Sequence, residues 1–117
     1  MAANKDYSQM AIDAKRRSDA QAAAEEQKRK AAQAEIDKHA TAGQAHFDLG
    51  EYDAAAKEWK EAYVRSNDPK YMPLVAAATR KTGDCTQAKN LYQEYLAKNP
   101  TAADKPAIDG HIKEAET

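Results

Sequence analysis

The stretch LGEYDAAAKEWKEA, Leu49 to Ala62, has an echo 33 residues downstream in TGDCTQAKNLYQEY. Gly50 matches Gly83, Ala55 matches Ala88, Trp59 matches Tyr92, and Asp53 falls near Asp84. An internal repeat of this period marks stacked helical hairpins, because one hairpin cannot bury its apolar face alone and needs a neighbour. The expected fold class is therefore all-α.

A chain of 117 residues holds at most one ordinary domain plus an extension. Its 18 basic and 19 acidic residues nearly cancel, which argues against a nucleic-acid partner, since those proteins carry a clustered basic excess. No apolar run approaches the roughly 18 residues that span a bilayer, so no direct membrane insertion is expected. The N-terminal MAANKDYSQ lacks the hydrophobic region of a signal peptide. Two settings follow: a cytoplasmic protein, or a periplasmic or envelope protein whose export signal has been removed. Cys85 is the sole cysteine, so the chain has no internal disulfide. Alanine takes the apolar role that Val, Ile and Leu usually fill, which favours closely approaching helices over a bulky core.

Residues 5–35 are built from Ala, Gln, Glu, Lys and Arg with almost no breaker, so a helix is expected. Seven basic and six acidic residues intersperse over 1–35, and beyond Tyr7, Met10 and Ile12 nothing apolar is larger than alanine. Such a helix is either a solvated spacer or, through the stripe Ala20, Ala24, Ala31 and Ala34, a thin coiled-coil seam for homo-oligomerisation. Ile36, Ala40, Ala42, Gly43, Phe47 and Leu49 continue at helical spacing without a break. One helix is thus expected from about Lys5 to Leu49, roughly 68 Å at 1.5 Å per residue. The pattern then predicts helices over Tyr52–Arg65, Lys70–Lys81, Thr86–Lys98 and Lys105–Glu116. They are separated by Gly50-Glu51, Ser66-Asn67-Asp68-Pro69, Thr82-Gly83-Asp84 and Asn99-Pro100. Pro73 falls in a first turn, where a missing N–H costs little.

The two hairpins resemble the tetratricopeptide repeat (TPR). Gly43, Ala55 and Ala62 hold the small-residue positions of the first unit, with Trp59 filling the space between hairpins. Ala76, Ala88 and Tyr92 do the same in the second, which Pro100 ends. Tyr95 stands where the family usually has alanine, and His39 and Met72 where it prefers a large aromatic. The resemblance implies repeats at about 36–68 and 69–102, a capping helix at about 104–116, and 1–35 as a helical extension. The runs NDP, AAATRKTGDC, LYQEYLAKNP and DKPAIDGHIKEAE look like short TPR proteins of deltaproteobacteria, often envelope-associated. QAAAEEQKRKAAQAE is similar in composition to helical spacers of periplasmic Tol-system proteins.

The chemistry-bearing residues do not assemble into a catalytic pattern. His39 and His46 share a helix face but lie about 10.5 Å apart, too far to ligate one ion together. No metal site, cofactor or enzymatic activity is expected; packed or surface histidines are. Cys85 reads as a buried small hydrophobe.

In the TPR arrangement the first helix of each hairpin lines the concave surface. That would present Asp37, Ala40, Gln44, Phe47 and Asp48 from the first unit. The second would add Lys70, Pro73, Ala77, Arg80 and Lys81, with His111 at the edge. Such surfaces bind extended or helical peptides. Phe47 beside Lys70, Arg80 and Lys81 suits an acidic or C-terminal peptide, although a basic set also serves simply to keep a groove hydrated. The family's carboxylate clamp is not expected, because Ala40 and Gln44 stand in its places. The expected role is a non-enzymatic adaptor in a larger, envelope-linked assembly. The alternative is a structural oligomer with a coiled-coil stem.

Overall fold

The computed structural model describes residues 2–116, with side chains described from residue 7 onward. Among these residues there are five α-helices and no strand: α1 (Ala2–Asp48), α2 (Tyr52–Ser66), α3 (Tyr71–Lys81), α4 (Cys85–Lys98) and α5 (Lys105–Glu116). The chain divides into two compact units, Met1–Gln33 and Ala34–Thr117, and α1 contributes to both.

Among the described residues the first unit is helix alone. Its described side chains are almost all exposed, including Tyr7 at 71%, Met10 at 63% and Ile12 at 45%. Local pairs one turn apart support it: Gln9 Nε2 donates to Asp13 Oδ1 at 2.9 Å, and Arg29 pairs with Glu26. Such contacts one turn apart support a helix whose side chains are mostly solvated.

In the second unit α1, α2 and α3 end at or just before a left-handed residue. Gly50 has φ +78°, Gly83 has φ +99°, and Asn67 caps α2 at φ 57°. Asp68 Oδ1 accepts the Lys70 N–H at 3.0 Å, holding the turn into α3. Asp84 caps α4 by accepting the Gln87 N–H at 3.1 Å, satisfying an end donor that has no partner within the helix.

Two expectations need correction at these ends. Leu49 belongs to the turn and is 74% exposed, because α1 stops at Asp48 and carries the residue off the apolar face. Cys85 opens α4 and is only half-buried, since the first turn of that helix lies at the edge of the packing.

Short connections make α2, α3, α4 and α5 pack as sequential neighbours. Ile36, Ala55, Trp59, Ala62, Tyr71, Val75 and Ala78 form one buried cluster. Met72, Ala76, Tyr92, Tyr95 and Ile108 form a second. Trp59 lies directly over Gly43, and its Nε1–H donates to the Ala40 carbonyl at 3.2 Å, which fixes the approach of α1 and α2. His39 Nδ1 lies 2.6 Å from Glu58 Oε2 and adds a polar tie between the same helices. Alanines at 0% exposure (Ala55, Ala62, Ala76, Ala78, Ala88) mark the close helix approaches that a small-residue sequence permits.

The phenol of Tyr95, expected to loosen or modify the packing, is buried and donates to the Asp104 carboxylate at 2.9 Å. The bulk is accommodated by tying α4 to the start of α5. Ile108 is buried and Ile112 half-buried against the second cluster, so α5 closes that end of the core.

Candidate protein-binding face

The residues expected on the first-helix face come from α1, α3 and the turn before α3. Asp37, Gln44 and Asp48 are exposed, and Gln44 Nε2 donates to Asp48 Oδ1 at 2.8 Å, so part of this edge is hydrogen-bonded to itself. Ala40 and Phe47 pack against the first core cluster. The Phe47 ring lies 5.6 Å from Trp59 and 5.1 Å, edge-on, from Tyr52. It serves the α1–α2 junction first, with its remaining surface half-exposed.

Pro73 and Ala77 are half-buried. Lys70 is exposed, with Nζ 3.7 Å from Asp68 Oδ2 and 5.2 Å from the centre of the Tyr71 ring. Arg80 reaches α5, donating to Glu114 Oε2 at 2.7 Å. Its charge is therefore largely spent within the molecule, and Lys89 Nζ to Glu116 Oε1 at 2.9 Å fastens α5 in the same way. Lys81 is exposed. His111 stacks on Tyr92 at 5.4 Å between centroids and 18° between planes, with Nδ1 3.9 Å from Glu114 Oε2. The face thus carries Lys70, beside Asp68, and Lys81 as its exposed cations, and is bordered by a cap that pairs Arg80 with Glu114.

A second feature escaped sequence reasoning. Lys60, Tyr63, Met72, Val75, Leu91 and Glu94 line a cleft of about 200 Å³ among α2, α3 and α4. Its floor is apolar, and its charged residues are Lys60 on α2 and Glu94 on α4. Lys98 Nζ sits 3.1 Å from Glu94 Oε1 and is hydrogen-bonded to Tyr63. Glu94 first and Tyr63 second hold the Lys98 ammonium pKa above its ordinary value. The sequence signals were faint: Tyr63 lies one turn past Trp59, and Leu91 directly precedes Tyr92. Only the joint register of three helices brings the six residues together.

The phenols of Tyr92 and Tyr95 are held above the usual range, chiefly by burial, and so stay protonated at neutral pH. Among the described residues no group of three or more His, Cys, Asp or Glu is gathered to hold a metal ion, and no helix is long and apolar enough to cross a membrane. Neither family models, curated proteins nor solved structures show a significant match to this chain.

Proposed function

We propose that this chain is a TPR-like, non-enzymatic adaptor that binds an acidic peptide segment of a partner protein across the first-helix face. The observation that carries the reading is a packing relation made twice. Gly43 lies beneath Trp59, and Ala76 shares a cluster with Tyr92, so a small residue on a first helix meets an aromatic 16 residues later on the second. Repeated hairpins of this kind lay their first helices side by side as a binding surface. Lys70 and Lys81 supply its exposed positive charge, and the half-exposed edge of Phe47 supplies an apolar contact. The setting we propose is an envelope-linked assembly, on the resemblance of the N-terminal helix to periplasmic spacers.

Selection of peptides from a random display library against the full chain, followed by calorimetry, tests the reading. Acidic peptides are expected, with affinity reduced about fivefold or more by the K70E/K81E double substitution, as rim charges act on encounter and specificity. The R80E/E114R swap, which keeps the cap pair, is expected to retain most binding. Failure to select any peptide, or binding indifferent to K70E/K81E, would overturn it.

A further inference from the structure

The molecule carries an exposed apolar stripe on α1 and a cleft with an apolar floor among α2, α3 and α4. Helical spacing aligns Tyr7, Met10 and Ala14, with Asp13 on one side of that line and Lys15 on the other. The cleft is bordered by Lys60 and Glu94. At about 200 Å³ it is smaller than the roughly 300–1,000 Å³ typical of small-molecule sites, and its size suits one or two protruding side chains.

We propose that this cleft receives the Tyr7–Met10 stripe of a second copy of the chain. The charges choose the occupant and its direction. With Met10 seated between Met72 and Leu91, one orientation of the incoming helix sets Asp13 against Lys60 and Lys15 against Glu94. The reverse orientation sets Asp13 against Glu94 and Lys15 against Lys60, which like-charge repulsion disfavours. Asp13 accepts from Gln9 through Oδ1, and Glu94 pairs with Lys98 through Oε1, so a Lys15 arriving at the cleft shares Glu94 with Lys98. The mode is a helix laid into a groove, read by anchors three and four residues apart. Because stripe and cleft are different surfaces, the contact is heterologous. It uses neither Lys70 nor Lys81, so it stands independently of peptide binding at the first-helix face. It also differs from a coiled-coil stem, in which α1 would pair with α1 and the cleft would play no part.

Sedimentation equilibrium of the full chain from low to high micromolar concentration is the test, with circular dichroism confirming the helical content of each variant. The wild type is expected to gain mass with concentration. M10E should weaken association at least about tenfold, and K60E, which sets a carboxylate against Asp13 in either orientation, about fivefold. Adding D13K to K60E should restore it, because each flank then pairs a lysine with a glutamate. A wild type monomeric throughout, or K60E assembling as the wild type does, would overturn the proposal; the second result points to α1–α1 pairing instead.

Discussion

A β-carbon added to Gly43 would lie 2.6 Å from Cδ1 and Nε1 of Trp59. The indole has no room to retreat, being 3% exposed and hydrogen-bonded to the Ala40 carbonyl. The distance between α1 and α2 is therefore set by the absence of one methyl group. The first buried cluster is built outward from that contact.

Gly43→Ala is accordingly expected to destabilise the fold. Alanine gains about 1 kcal/mol of helix propensity over glycine. Overpacking a filled site costs about 1–3 kcal/mol, and at 2.6 Å the upper part of that range applies. The net loss should be about 1–2 kcal/mol, read as a lower urea midpoint by far-UV circular dichroism. Trp59→Phe in the same chain removes the ring corner that clashes and should recover part of the loss relative to W59F alone. An unchanged or raised midpoint for G43A would contradict this packing.

Stability should fall at alkaline pH through Tyr95. Burial first, then its hydrogen bond to Asp104, then the charge of Asp104 raise the phenol above its usual value near 10. The folded state thus favours the protonated phenol. That stabilisation is fully present below pH 10 and is lost as pH rises from 10 through the folded value. Tyr95→Phe should cost about 1 kcal/mol at pH 8 through the lost hydrogen bond. The gap between variant and wild type should narrow above pH 10, since phenylalanine does not titrate. Urea melts at pH 8, 10 and 11 measure both effects; a constant gap would remove Tyr95 from the alkaline transition.

Much of the fold was legible because its signals are local. Lys105 to Glu116 is a helix at both expected ends, and Gly50, Gly83 and Asn67-Asp68-Pro69 stop helices where turn chemistry requires it. Trp59 and Tyr92 are buried, as their matched positions in the repeat implied. Leu49 was misjudged because a helix that ends one residue sooner no longer carries the next side chain to the same face. The binding face was less legible for a different reason. Arg80 and Glu114 are 34 residues apart, and no local pattern predicts that docking α5 will pair them. The ring contacts of Phe47 with Tyr52 and Trp59 likewise join two helices and are not displayed by spacing along one of them. The cleft needed the register of α2, α3 and α4 at once, and a single sequence does not display that register.

The cap should depend on its apolar anchor far more than on its ion pairs. Ile108 is 4% exposed in the second cluster, and truncation to alanine is expected to cost about 2–4 kcal/mol. The Arg80–Glu114 pair has side chains 35% and 57% exposed. Solvent screening of such a pair limits its contribution to under about 1 kcal/mol. Hydrogen exchange of α5 amides should therefore accelerate strongly in I108A and little in E114Q. Comparable acceleration in both would show that the ion pairs hold the cap.

The same substitution should act in opposite directions at two glycines. No heavy atom lies within 4 Å of a β-carbon built at either Gly50 or Gly110, so side-chain clash contributes at neither site. Gly50 sits at φ +78°, where an L-residue with a β-carbon is strained, and G50A should cost about 1–2 kcal/mol. Gly110 lies within α5 at an ordinary helical φ, where alanine is the better helix former, and G110A should stabilise by about 0.5–1 kcal/mol. Asn67 at φ 57° supplies the control: N67G relieves the left-handed strain at an exposed turn and should be close to neutral, whereas N67A should be destabilising by about 1 kcal/mol. Thermal melts of the four variants under one buffer decide the matter, and a G50A at least as stable as the wild type would mean that the α1–α2 turn does not need its left-handed residue.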